Sequence, residues 1–559
     1  MRYVDREALR KRIHGLIFSV GVLIFTGLAW VPSAFGQTAA TGALSGAVVD
    51  PQRAAIAGAE IKVTNEENGT VRRVTSGLEG SYLIPLLPPG VYRVEVSASA
   101  FKRTNLSGVR IELTNTTTLD IQLEVGAAND EVTIKSDANL VKTDSSALGA
   151  VLNEKAVVNL PIVTRNYTQV LGLFPGVSAS VSEGDILGRG SNSIDPAFFT
   201  TGKGIYVHGA RSYDNHFLMN GVVVDNLEGG GISGGIPVPN PDTIHDLQVQ
   251  TGLYDASFGG NAGANISIVT KGGGNQFHGA LFEFFRNEAL NATDFFDNSV
   301  GREKPSLRQN QYGFALGGPV KKDKLLFFTS YQGTRQVNGF LPAGQGRFIL
   351  PPFTDDRSAA AIGALFAGQR AGGVGPAIKA DGSNINPIAL KLLQMKLPNG
   401  EYLFPTADVV RTTGPIAGRG TAFVTDNRTF DEDQYMINLD FLHTERSRFA
   451  GRFFMANSEQ VQPNAGIVSG FPLTQSDRFR DFSLAHSHIL SPTLVNNALF
   501  GFHRIDAFRR SDSPYKFSDV GITAPPDVDG APVLSIAGGI TRVGSTFVST
   551  RFTQNHFSA

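Results

Sequence analysis

The chain has 559 residues and a formal net charge of -1, and its Gly 63 and Phe 39 stand against Trp 1, Met 5 and Cys 0. That length exceeds what one hydrophobic core organises and calls for several domains, while the near-neutral balance argues against a nucleic-acid binder, which carries a basic footprint. The lack of cysteine excludes disulfides, thiolate nucleophiles and cysteine-built zinc sites.

At the N-terminus Arg10, Lys11 and Arg12 precede an apolar run over residues 15–31 that ends in Pro32-Ser33-Ala34-Phe35-Gly36. A positive head, a short apolar stretch and small residues three apart predict a secretory signal over residues 1–36, cleaved after Gly36. A retained anchor is the competing reading, since a run of ~17 residues lies at the lower edge of spanning length. Later segments carry no long uncharged apolar run, so a membrane-embedded body would have to be a β-barrel.

Residues 37–125 alternate with period two between turn signals. Ile61 and Val63 share a face, as do Tyr92, Val94 and Val96, Ile111 and Leu113, and Leu119, Ile121 and Leu123; Glu79-Gly80 and Pro88-Pro89-Gly90 mark turns. Short strands so punctuated predict a β-sandwich. The ordered landmarks Gly46-Ala47-Val48-Val49-Asp50, Ile56-Ala57-Gly58-Ala59-Glu60-Ile61, Gly80-Ser81-Tyr82 and Leu87-Pro88-Pro89-Gly90-Val91-Tyr92 resemble the carboxypeptidase regulatory-like domain family. The resemblance implies a transthyretin-like sandwich with no catalysis of its own. A carboxypeptidase would need a zinc site with His and Glu close in sequence, and the chain contains no H-x-x-E.

Residues 126–275 turn to mixed structure. Asn129-Asp130-Glu131-Val132-Thr133-Ile134-Lys135 is a short extended segment, either another domain strand or an edge strand that adds to a partner. Asn159-Leu160-Pro161, Arg165-Asn166-Tyr167, a helix-like stretch over 167–174 and Pro175-Gly176-Val177 follow. Then come Ile205-Tyr206-Val207-His208-Gly209-Ala210-Arg211 and Phe217-Leu218-Met219-Asn220-Gly221-Val222-Val223-Val224, whose central Asn-Gly is the strongest short hairpin signal. Ile244-His245-Asp246-Leu247-Gln248-Val249, Ala264-Asn265-Ile266-Ser267-Ile268-Val269 and Thr270-Lys271-Gly272-Gly273-Gly274-Asn275 close the region.

In this order the segments resemble the plug of TonB-dependent receptors, of the Oar-like subgroup that carries a regulatory-like sandwich in front. The landmarks matching the family are Gly209, Arg211, Asn220, Gly221, Thr270, Lys271 and Gly272. Where the family often has Asp-Gly, this chain has Asn220-Gly221, and both suit the same turn. The resemblance implies that Glu131, Val132, Thr133 and Ile134 are the candidate TonB-contacting segment. Gly229, Gly231 and Gly234 match G-x-G-x-x-G, and Gly231-Ile232-Ser233-Gly234-Gly235 matches G-x-S-x-G, but Pro237, Pro239 and Pro241 follow where a helix should open. His208, His216, His245 and His278 are scattered. No catalytic, cofactor or metal residue is expected.

Residues 276–559 read as aromatic strands: 277–286, 308–318, with Tyr312, Phe314 and Leu316 on one face, 324–333, and the pair 433–442 and 447–456. In that pair Tyr435, Ile437, Leu439 and Phe441 are expected to meet lipid while Gln434, Asn438 and Asp440 face a lumen, and Phe449, Phe453 and Met455 oppose Arg448 and Arg452. A soluble sheet alternates in the same way. Loop asymmetry separates the readings: His443-Thr444-Glu445-Arg446 and Ser491-Pro492-Thr493 are short, whereas residues 334–432 form a very long connection. The candidates number about eight where plugged transporters have 22, and the last residues lack the aromatic end common in the family, so a fragment or truncated product is expected.

The fold class expected is therefore mostly β: a transthyretin-like sandwich, an α/β plug and the first part of a transmembrane antiparallel barrel. The function implied by resemblance is TonB-dependent transport of a bulky solute across the outer membrane of a Gram-negative bacterium, with the sandwich in the periplasm. Its partners would be the TonB complex, outer-membrane lipid and an extracellular solute, with no cofactor and no nucleic acid. A surface structural or adhesive protein is the alternative, and a secreted zinc hydrolase is disfavoured by the missing metal motif.

Overall fold

The computed structural model describes residues 41–126, 131–135, 148–160, 165–179, 205–211, 214–225, 236–254, 258, 260–293, 295–299, 304–339, 347–370, 374–413, 418–423, 427–463, 471–491, 494–513, 515–523, 534–536, 540–543 and 549–558. The expected signal segment and the two glycine motifs between Gly229 and Gly235 lie outside them.

The sandwich comprises β1 (Gly42–Val49), β2 (Glu60–Asn65), β3 (Val71–Thr75), β4 (Ser81–Leu87), β5 (Gly90–Ser97), β6 (Arg103–Ile111), β7 (Thr116–Thr118) and β8 (Ile121–Gln122). One sheet runs β4-β1-β7, with β8 also pairing β1. The other runs β3-β2-β5-β6 and ends on β9 (Glu131–Lys135), which joins β6 in parallel. Every apolar alternate named from the sequence is buried, and all but Leu113 belong to the core between the two sheets. The buried tyrosines keep their hydroxyls satisfied, Tyr82 donating to the Leu119 carbonyl and Tyr92 to that of Pro88, each at 2.7 Å. Burial pushes the Tyr92 phenol up to about 12.

The plug is built from β10 (Leu148–Asn153), β11 (Val177–Ala179), β12 (Ile205–Val207), β13 (His216–Met219), β14 (Val222–Val223), β15 (Ile244–Gly252) and β16 (Asn265–Thr270). A mixed sheet runs β10-β15-β16-β13-β14, with β13 and β16 parallel. The helix Glu154–Asn159 starts on Asn153, whose Oδ1 accepts from the Ala156 amide at 3.0 Å. The helix-like stretch after Asn166 is a 3-10 helix over Tyr167–Leu173. Asn220 and Gly221 take φ of 52° and 82°, the two positive values the hairpin requires.

A third sheet follows: β17 (His278–Asn287), β18 (Leu307–Lys321), β19 (Leu325–Asn338), β23 (Arg428–Thr444), β24 (Ser447–Gln462), β25 (Leu473–Ser491), β26 (Leu494–Ser511) and β29 (Thr550–Ser558) pair in this order. Among the described residues it has eight strands, antiparallel throughout. Tyr435, Ile437 and Leu439 are exposed, and Gln434, Asn438 and Asp440 are buried on the other face. Two aromatic rows cross the exposed face: Tyr312, Tyr331 and Tyr435, with centroids 6.3 and 4.9 Å apart, and Phe441, Phe449 and His486, with centroids 6.3 and 4.2 Å apart. Aromatic girdles of this kind mark the outer surface of a membrane barrel.

Two expectations are corrected. Six of the eight strands, β18, β19 and β23 to β26, are longer than ~10 residues, because polar residues such as Arg428 and Glu432 continue the ladder past the apolar alternation. The long connection, which starts only after Asn338, has structure of its own: β20 (Arg347–Leu350), β21 (Val409–Val410) and β22 (Gly420–Phe423) pair, and the helices Ala359–Phe366 and Pro387–Gln394 lie between them. Leu350, Phe353, Ile362, Leu392, Leu403 and Phe404 form its core, joined by Phe471 and Tyr515 from the next two long connections. The last of these connections also contains the small hairpin of β27 (Leu534–Ile536) and β28 (Ile540–Val543). Turns at the opposite end are short, running from Lys321 to Leu325, Thr444 to Ser447 and Ser491 to Leu494.

Candidate functional site

The buried face of the eight-stranded sheet is covered by the plug. Their shared core joins Phe217, Met219, Ile266 and Ile268 of the plug to Ala315, Phe328, Met436, Phe454 and Ile505 of the sheet. A packed plug leaves no room for bulk water at these points, so the polar residues of the barrel wall must find partners on it.

The residues of β23 do this. Asn438 donates through Nδ2 to the Thr270 hydroxyl at 2.9 Å and to the Lys271 carbonyl at 2.7 Å. Thr270 in turn donates through its amide and its hydroxyl to Asn220 Oδ1, at 2.9 and 3.1 Å. A relay therefore runs from the hairpin turn through the end of β16 to the barrel wall. Four residues earlier on the same face of the strand, Gln434 accepts from the Asn240 amide at 3.1 Å and donates to the Val238 carbonyl at 3.0 Å. On the far strand, Gln554 Nε2 donates to the Asp225 carbonyl at 2.9 Å.

The landmarks Asn220, Gly221, Thr270, Lys271 and Gly272 thus come together at one plug–wall contact. Lys271 Nζ reaches Glu154 at 2.8 Å. A Cβ on Gly272 would stand 2.8 Å from Asp440 Oδ2, so this approach admits only glycine without a shift of the carboxylate. Asp440 already takes Arg448 at 2.7 Å and Arg452 at 2.8 Å. Either Asn or Asp at 220 supplies the acceptor that Thr270 needs, so Asn220 makes the contact that an Asp would make. Gly209 and Arg211 belong to a separate turn after β12, where the Arg211 amide donates to Asp214 at 3.0 Å. Glu131, Val132, Thr133 and Ile134 form most of β9, the outermost strand of its sheet, with Thr104↔Val132 and Leu106↔Ile134 in register. The segment is therefore a domain strand, and among the described residues its far edge is unpaired within that sheet.

A second contact, not foreseen from the sequence, joins the sandwich to the plug. Asp246 is fully buried and meets Arg110 at 3.0 Å. Its other oxygen lies 3.2 Å from His245 Nδ1, whose Nε2 faces Glu67 at 3.9 Å. Burial disfavours the charged imidazole, but Asp246, Glu67 and Glu154 outweigh it and hold His245 above its ordinary value. Thr114 of the sandwich hydrogen-bonds to Gln248 and accepts from Gln250 at 3.3 Å. The sandwich also touches the short turns of the sheet, through Arg73 and Glu445 at 2.5 Å. It therefore sits at the short-turn end, opposite the long connections. Among the described residues no group of His, Asp or Glu is placed to hold a metal.

These features agree with what the chain is similar to. A family model described as an outer membrane beta barrel domain matches residues 269–559, more than half of the chain, and one described as a carboxypeptidase regulatory-like domain matches residues 43–124. The chain is similar to the TonB-dependent transporter Oar of Myxococcus xanthus, 24% identical over 357 residues, which is 60% of this chain and 31% of that protein. It therefore spans about a third of the length of this curated relative. Among solved structures it is similar to the outer membrane transporter YddB from Escherichia coli, at 12% identity and TM-score 0.41, over 73% of this chain and 44% of that one. The siderophore receptor PirA from Acinetobacter baumannii matches at 13% identity and TM-score 0.31, over 65% of this chain and 48% of that one. These relatives are transporters and receptors, not enzymes.

Proposed function

Since the chain belongs to the outer membrane beta barrel domain family and its place is the outer membrane, we propose that it takes part in TonB-dependent transport of a bulky solute across that membrane. The observation that carries the reading is the plug seated on the polar face of the sheet through Asn438, Gln434 and Gln554. A wall that is apolar outside and polar inside makes a channel, and a folded domain bound by hydrogen bonds to its inner side closes it. Such a gate needs an external pull to move, because several buried contacts must break together.

In this reading the short-turn end faces the periplasm and carries the sandwich, while the long connections face outward. The packed connection after Asn338 is then the largest outer surface available to a solute. Strand β9 is the contact for the TonB complex: its unpaired edge offers backbone donors and acceptors to an added strand, at the periplasmic end.

Uptake in the native host tests the proposal. Val132→Pro removes a backbone donor from β9 and is expected to abolish growth on the scarce solute while leaving the protein in the outer membrane at normal level. Deleting the TonB system should have the same effect. Growth that survives both changes would refute energised transport and favour a structural or adhesive surface role.

A further inference from the structure

Between the sandwich and the short turns lies a cleft of about 390 Å³, lined by Thr70 and Arg72 on one side and by Lys324, Arg446, Arg448 and Ser487 on the other. Its charges do not balance. Glu445 is taken by Arg73 at 2.5 Å, which leaves the Asp323 carboxylate, hydrogen-bonded to Asn275 at 2.7 Å, against Arg72, Lys324, Arg446 and Arg448. Asp440, deeper in the wall, is shared by Arg448 and Arg452. Glu67, the next acid on the sandwich side, faces His245. Among the described residues no carboxylate lies within ion-pair distance of Arg72, Lys324 or Arg446.

Arg72 is the sharpest case. Burial pulls its guanidinium below the ordinary value; the phenol of Tyr92 opposes that pull, and the neighbouring Arg448 adds to it. Arg448 already has Asp440, so Arg72 is the desolvated guanidinium left without an anion, a costly state unless one is bound. Two further donors at the same cleft are left without partners: the buried Thr70 hydroxyl and the buried Nε of Arg448. Unpaired buried donors beside unpaired cations are the two halves of an anion site.

We propose that this cleft binds a phosphate group, gripped by Arg72 and Arg448 from opposite walls, with Thr70 as a neutral donor and Lys324 and Arg446 at the mouth. A carboxylate presents one flat edge and suits a single fork, whereas a tetrahedral dianion takes donors from several directions and matches the excess positive charge. Arg448 and Ser487 are register partners on the wall that carries Asp440, which places the cleft at the inner opening of the barrel. A soluble phosphate ester reaches it from the periplasm, and a phospholipid headgroup is the other source of the same chemistry. The site does not depend on TonB.

The test is calorimetric titration of the purified protein in phosphate-free detergent solution with inorganic phosphate, glycerol 3-phosphate and phosphatidylglycerol micelles. Saturable binding of one equivalent of inorganic phosphate is expected, weakened at least about tenfold in Arg72→Gln. The exposed pair Lys324→Gln and Arg446→Gln together should weaken it about threefold, and this variant decides the matter if Arg72→Gln does not fold. Lys102→Gln, whose ammonium pairs with Glu124 and which does not line the cleft, should bind as the parent does. Saturation by phosphatidylglycerol alone would assign the same residues to a lipid headgroup. Absence of saturable binding by all three ligands, or unchanged affinity in both the Arg72 and the paired variants, would overturn the proposal.

Discussion

The sandwich and the barrel sheet are written in one alternating pattern and use it in opposite directions. In β2, Ile61 and Val63 are 0% exposed, and Lys62 between them points outward to Glu95. In β23, Ile437 is 50% exposed and its neighbour Asn438 is 1% exposed. Alternation therefore specifies a strand with two unlike faces, and the surroundings decide which face is inside. A second sheet covers the apolar face of the sandwich. In the barrel the plug covers the polar face, and lipid takes the apolar one.

Substitutions at equivalent positions break this comparison. Ile61→Asp places an unpaired carboxylate in the sandwich core and should cost about 4 kcal/mol or more, seen as loss of cooperative unfolding in urea. Ile437→Lys exposes its charge to lipid instead, and should cost about 2–4 kcal/mol in a folding titration into bilayers. If lipid does not cover that face, the lysine will be tolerated without measurable loss.

Asn438→Leu sharpens the comparison from the other side. An apolar residue on the polar face strands the Thr270 hydroxyl and the Lys271 carbonyl, at a cost of about 1–3 kcal/mol. Limited proteolysis should then cut the plug faster while the sandwich resists as before. Lys62→Ala, on the exposed flank of the sandwich, should change stability by about 0–1 kcal/mol.

How much of this was legible in the sequence follows from the same physics. The sandwich strands, the Asn220-Gly221 turn and the two faces of β23 and β24 were readable because each depends on local alternation or a local dihedral requirement. The ends of the long strands were not, since Arg428 and Glu432 extend β23 by backbone pairing that needs no apolar signal. The packed connection after Asn338 was passed over as a loop, although Ser358 and Asn386 cap helices there in the usual way. Of the candidate site, Asn438 and Gln434 were recognised as lumen-facing, but their plug partners were not. Arg110, Asp246 and the cation excess around Arg72 arise from contacts between segments far apart in the chain, and nothing local announces them.

The most direct measurement is a spin-label scan of positions 435 to 441, made straightforward by the absence of native cysteine. With the protein in bilayers, labels at 435, 437, 439 and 441 should be relaxed strongly by oxygen, which concentrates in lipid. Labels at 436, 438 and 440 should be shielded from both oxygen and a water-soluble nickel chelate by the plug. Loss of the two-residue period, or oxygen access greatest at 438, would contradict the placement of lipid outside and plug inside.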